Sequence, residues 1–157
     1  MQKTNFFSDI EILEQRVLEA HYSDRVNNET NVNLLDSELF EINIEYDLYI
    51  NNQDDREHYI LIALEINEKN QNDEDALSLN ILTQGHYKIK QEVKKKEYDS
   101  LYHFGSLSLG INHLRLAFFN LTSLTLNTGQ SLPLVNMSAL HEAYDKKIKK
   151  LRAKEKK

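Results

Sequence analysis

Apolar and polar residues alternate along residues 39–50, LFEINIEYDLYI: Phe40, Ile42, Ile44, Tyr46, Leu48 and Ile50 point one way, and Glu41, Asn43, Glu45 and Asp47 the other. A period of two predicts a strand with one buried face. The next run, EHYILIALEIN at 57–67, is apolar on Ile60, Ile62, Leu64 and Ile66, and partly apolar on its other face through Tyr59, Leu61 and Ala63. The turn-rich connection NNQDDR between them predicts a hairpin. Beyond the polar linker EKNQNDED, the segment ALSLNILTQGHYKIK (76–90) places Leu77, Leu79, Ile81, Tyr87 and Ile89 on one face, with Gly85 interrupting it. Glycine inside a strand marks a bulge or a close backbone approach. Residues 11–25 read either as a first strand or, through ILEQRVLEAHY, as a helix. Four strands on polar links make an antiparallel meander or Greek key.

The period then changes. GINHLRLAFFNLTSLTLNTG (110–129) predicts a helix with Ile111, Leu114, Phe118 and Leu121 on one side, and Leu116, Phe119 and Leu126 well round the cylinder. A surface helix needs one apolar stripe. This one is apolar over most of its circumference and must be covered twice, by its own sheet and by a second layer. A single domain of 157 residues has little chain left to supply that layer, so a second copy of the protein is the economical answer. Asn136 is a good N-cap for a last helix carrying Met137, Leu140, Tyr144, Ile148 and Leu151 at three- and four-residue spacing. QEVKKKEYDS (91–100) reads as a charged connection. The fold class is α+β: a four-stranded antiparallel sheet, then a long helix packed on it and a second C-terminal helix.

Charge is unevenly placed. Residues 146–157 hold eight Lys/Arg against Glu155, a local +7 on a chain of net −6, leaving −13 on residues 1–145. The tail reads as a basic helix end, free to fray, on an acidic body that does not attract nucleic acid phosphates. There is no cysteine, which excludes disulfides, thiolate metal sites and cysteine nucleophiles. No apolar run reaches the length of a membrane span, and MQKTNFFSDIEILEQR has no apolar core of a signal peptide, so the expected location is the cytoplasm.

Catalytic constellations are missing. His21, His58, His86, His103, His113 and His141 show no ligand spacing, and HEAYD at 141–145 is not HExxH. They read as histidines on a polar surface. Ser106 and Ser108 lack the GxSxG context of a nucleophile elbow. No phosphate loop can be built from Gly85, Gly105, Gly110 and Gly129, and Glu41, Glu45 and Asp47 fit a solvated strand face. The expectation is a non-enzyme without metal or cofactor.

What remains is surface. Between Gly129 and Asn136 the connection is apolar: Leu132, Pro133, Leu134 and Val135, followed by Met137. Loops are usually polar. Folded down, this segment would be ordinary core, and spacing alone favours that. Left in water, it is a docking site for another protein.

The element order and three motifs resemble the SecB family of export chaperones. GINHLRLAFFNLTSLTLNTG is similar to that family's long first helix, which ends at a glycine. LPLVNMSALHEAY is similar to the start of its second helix, with Val135, Asn136, Leu140 and Tyr144 in step and Met137 standing for an aromatic. In LTQGHYKI, Gly85 and Tyr87 fit its fourth strand. The resemblance implies a cytosolic, ATP-independent holdase that binds unfolded polypeptides or preproteins. It implies a homotetramer, a dimer of dimers, with the first helices between sheets; Ile111, Leu114, Leu116, Phe118, Phe119 and Leu121 would then form the interface. Carried over, the client groove falls on Leu132, Leu134, Val135, Met137, Leu140 and Tyr144, with Tyr46 and Leu48 beside it. The chain departs from the family where an acid expected for docking the SecA motor falls on Asn80, where the first strand offers His21 and Arg25, and in its basic tail. Two partner classes therefore stand: many clients passed to SecA, or one dedicated partner such as an antitoxin.

Overall fold

The structure is a computed structural model and describes residues 8–23, 32–69, 76–126 and 128–155. Four strands, β1 (Ile10–Ser23), β2 (Phe40–Ile50), β3 (Glu57–Glu68) and β4 (Ser78–Ile89), form one antiparallel sheet in the order β1-β4-β3-β2. Strands β2 to β4 are a meander, and β1 closes against β4, which is Greek-key order. The segments 70–75 of the polar linker, Asp24 and Arg25 beyond β1, and Lys156 and Lys157 of the tail lie outside the described residues.

The central strands obey the period-two reading. Ile60, Ile62, Leu64 and Ile66 of β3, and Leu77, Leu79, Ile81, Tyr87 and Ile89 in and beside β4, are buried. The hairpin closes with Asn51 N–H donating to the Glu57 carbonyl at 2.9 Å. Beyond it, Asp54 bridges Arg56 and Lys88, and Lys88 also reaches Glu57 at 2.6 Å. Gly85 is a close approach and not a bulge: a Cβ there would collide with the Tyr87 ring, which folds back over it. The pairing irregularities lie instead on β1, between Ile12 and Glu14 and between Val17 and Glu19.

The helical segment begins earlier than its sequence suggests. A 3-10 turn at Lys95–Glu97 runs into α1 (Tyr98–Ser100), a π-helical stretch at Leu101–Ser106 and then α2 (Leu107–Thr125). So the latter half of the charged connection 91–100 is already helical. The π-turn changes the helical phase and brings Tyr102, His103 and Ser106 onto the buried side ahead of Leu107, Ile111, Leu114 and Phe118. That stripe lies on the inner face of the sheet and makes the core; each fully buried Leu, Ile or Phe there contributes about 1.5–3 kcal/mol. Ile111, Leu114 and Phe118 are thus consumed within the chain. Leu116 and Phe119 stay exposed, and Leu121 is half-buried. Leu126, placed on the far side by the helical wheel, is buried, because α2 ends at Thr125 and the chain turns in.

The last helix, α3 (Met137–Glu155), is capped as expected: Asn136 Oδ1 accepts the Ala139 N–H at 3.1 Å. Asn136→Ala will cost about 1 kcal/mol. The loss will show as faster amide exchange over 137–141 and a lower denaturation midpoint. Among the described residues, no helix is long and apolar enough to cross a membrane.

Candidate functional site

The apolar connection divides between core and water. Leu132 is 2% exposed and Leu134 is 88% exposed. The inner half is tied down from two sides. Arg115 Nε donates to the Leu132 carbonyl at 2.9 Å, and Gln130 accepts from Leu34 N–H at 3.0 Å while its amide donates to the Val32 carbonyl at 2.5 Å. Leu132 is therefore core, and its assignment to an open groove is corrected. Val135 and Met137 are half-buried against the same core. Leu134 has no such partner and stands in solvent. Leu116 lies beside Ser131 and Leu132 at a shallow hollow of α2, so the connection runs along the outer side of that helix.

Three of the other candidates come together elsewhere. Tyr46, Leu140 and Tyr144 line a groove of about 470 Å³ between α3 and β2, with Ile44 and Leu151 extending its apolar floor. Leu48, two residues along β2, is half-buried against the core. Tyr46 is itself buried, because the Tyr144 ring stacks on it at 4.6 Å and 16°. Lys146, Lys147, Lys150 and Lys154 rim the groove. Neither these lysines nor Ile44 was marked by the sequence. The signal was there: Lys146, Lys150 and Lys154 recur every fourth residue, which puts them on one helix face.

Beneath the groove lies a polar clamp. Tyr46 Oη sits 2.8 Å from His103 Nδ1 and 3.2 Å from His141 Nδ1, and the two imidazoles are 4.3 Å apart. A phenol has one proton to give and can accept another, so it serves both rings when one imidazole carries its proton on Nδ1 and the other does not. The second ring nitrogens approach Asp99 at 3.7 Å and Asp145 at 3.9 Å. Burial, with smaller contributions from Tyr144, Asp145 and Asp99, pushes the Tyr46 hydroxyl far above its ordinary range. Burial, then His141, holds His103 below its ordinary value. The clamp ties α3 to β2 and to the π-turn.

A third histidine, His58, is sealed in the core. His58 Nδ1 donates to the Arg56 carbonyl at 3.2 Å, so Nε2 is unprotonated and accepts from Ser106 Oγ at 2.7 Å. The distance is that of a nucleophile and its base. Neither residue has any exposed surface, so no substrate reaches them. Burial lowers His58 to about 4. The expectation of surface histidines is thus corrected for His58 and His103. A buried imidazole satisfied on both nitrogens is a packing element, and short-range sequence patterns do not reveal partners 48 or 57 residues away. Among the described residues, no group of three His, Asp or Glu side chains could hold a metal ion.

No sequence family matches the chain, and no curated protein is similar to it in sequence. Solved structures are similar in fold. One is the Rv1957 SecB-like chaperone of Mycobacterium tuberculosis, in complex with a ChAD peptide from the Rv1956 HigA1 antitoxin. Its TM-score is 0.56 at 10% identity, covering 81% of this chain and 88% of that one. Another is a protein of unknown function from Streptococcus agalactiae, with a TM-score of 0.50 at 14% identity, covering 80% of this chain and 97% of that one. The four-stranded sheet, long helix and C-terminal helix are SecB-like in fold.

Proposed function

We propose that this chain is a non-enzymatic, ATP-independent holdase chaperone of the SecB-like kind, acting in the cytoplasm on non-native polypeptides. The observation that carries the reading is a SecB-like fold whose connection and long helix leave large apolar side chains in water: Leu134 at 88%, Leu116 at 57% and Phe119 at 44% exposed. A folded monomer gains nothing from them there, and large apolar side chains left in water mark surfaces that bind protein, whether a client or a second copy. Client segments bury apolar area against the connection, at Leu134, at about 25 cal/mol per Å². Single contacts are weak, and several copies of the connection on one long client raise the effective concentration.

The outer side of α2, through Leu116 and Phe119, is the face we assign to a second copy, in a tetramer built as a dimer of dimers. Light scattering should give about four times 18.4 kDa. Leu134→Asp should leave the melting temperature unchanged, since that side chain touches little. It should cut suppression of aggregation of an unfolded model protein at least several-fold. Unchanged suppression would remove Leu134 from the client surface.

A second reading is favoured by one finding: the similar Mycobacterium tuberculosis chaperone was solved with an antitoxin peptide. On that reading the chain serves a single partner. Two unrelated unfolded proteins separate the readings, since a general holdase protects both and a dedicated chaperone protects neither. Delivery to SecA belongs to the first reading alone and is tested by co-sedimentation with SecA.

A further inference from the structure

The groove between α3 and β2 pairs an apolar floor with a cationic rim. Its floor is Ile44, Tyr46, Leu140 and Tyr144, and Lys146, Lys147, Lys150 and Lys154 stand along the α3 side. Glu45 is the one carboxylate in its lining. That charge and Asp47 are both answered by Lys147, at 3.4 and 2.9 Å. Lys146, Lys150 and Lys154 have no ion-pair partner among the described residues. The helix dipole accounts for basic residues in the last turn, Arg152 and Lys154. It does not account for Lys146 and Lys150, which lie earlier in α3 and share one face with Lys154 along the groove. The wider surface is acidic, but at physiological salt its field dies within about 8 Å, so a segment lying in the groove feels the lysines first.

We infer that this groove selects, among apolar peptide segments, those carrying aspartate or glutamate beside their apolar anchors. The inference rests on the chaperone reading and specifies the chemistry of the client. Apolar side chains would cover Ile44 and Tyr144, and flanking carboxylates would pair with Lys146, Lys150 and Lys154. The charge term acts as selectivity, because exposed pairs contribute little each and add only as a set.

The test uses the full chain and two fluorescein-labelled peptides with the same leucine and phenylalanine core, one flanked by glutamates and one by lysines. Fluorescence anisotropy should show the glutamate peptide binding about tenfold tighter at low salt, the sum of a few weak pairs. High salt should narrow that gap. The double variant Lys150→Glu, Lys154→Glu changes only exposed side chains and should reverse the preference, with an unchanged thermal melt as the check on folding. Equal affinity for the two peptides, or a preference untouched by the double reversal, overturns the inference. If neither peptide binds while an unfolded protein is still held through Leu134, the inference falls and the chaperone reading stands. If neither peptide nor unfolded protein is held, both fall.

Discussion

Acidification from pH 7 to pH 4 will remove about 3 kcal/mol of folding stability through His58 alone. In the folded chain this imidazole is sealed between the Arg56 carbonyl and Ser106, and burial lowers it from 6.5 to about 4. In the unfolded chain it titrates near 6.5. Between those values the unfolded state binds a proton that the folded state refuses, so stability rises with pH across the window and is lost as pH falls through it. The loss is complete below about 4, where both states are protonated. His103, also lowered by burial, acts with the same sign. Asp54, lowered to about 2 by Arg56, acts in a separate window below the ordinary carboxylate range. Urea denaturation at pH 7, 5.5 and 4.5 reads the slope. His58→Gln should be less stable than the parent at pH 7, since Ser106 loses a well-placed acceptor. Its stability should then fall less steeply, so the two curves converge towards pH 4.5. Parallel curves would mean that the folded chain lets a proton onto His58 at no cost.

The hydrogen bonds of that histidine were hidden from the sequence, whereas the strand carrying it was plain. β3 and β4 are covered by neighbours on both edges and by α2, so their inner faces are apolar at every second residue except His58, Thr83 and Gly85, and the pattern survives. β1 is different. Opposite the inward residues Ile89, Tyr87, Gly85, Thr83, Ile81 and Leu79 of β4 stand Ile10, Ile12, Gln15, Val17, Ala20 and Tyr22. The inward positions advance by two, then three, because a residue is added near Leu13 and again near Leu18. A five-residue repeat lies between the periods of a strand and a helix, which is why residues 11–25 read as either. The start of α1 was missed for a related reason. Lysines at 94–96 resemble a loop, and the π-turn shifts the phase that a 3.6-residue template would follow. For the site, spacing alone favoured burial of the whole connection and the family resemblance favoured its exposure, and neither separated buried Leu132 from exposed Leu134. An extended connection turns alternate residues in and out, and which ones turn in was decided by Arg115 and Gln130. The groove on α3 needed the sheet to be placed before its lysines had anything to rim.

Gly85→Ala will destabilise the fold by about 3 kcal/mol, and the cost will vanish when Tyr87 is made smaller. Gly85 is not there for its backbone, since its φ lies outside the left-handed region. It is there for room. The Tyr87 ring is fully buried, and a Cβ on Gly85 would overlap it. From the helix side, a Cβ on Gly110 would meet Ile62 Cδ1 at 2.7 Å and the Tyr87 hydroxyl at 3.3 Å, so two glycines make the slot in which the ring lies. The hydroxyl is held at its far end by Gln15 Nε2 at 3.1 Å, which also reaches the Leu109 carbonyl at 3.3 Å. The ring therefore cannot swing away without losing that hydrogen bond. Overpacking a well-filled core costs about 1–3 kcal/mol, and a pinned aromatic belongs at the upper end. Tyr87→Leu alone should cost about 2 kcal/mol through lost contacts. In that background Gly85→Ala should be neutral or slightly stabilising, because alanine stiffens the strand relative to glycine. The double-mutant cycle then shows about 3 kcal/mol of coupling between neighbours on one strand face. Equal costs for Gly85→Ala in both backgrounds would place the collision somewhere other than the tyrosine ring. Because that ring joins β1, β4 and α2 at one point, the coupling reports whether sheet and helix are assembled as described, independently of any client.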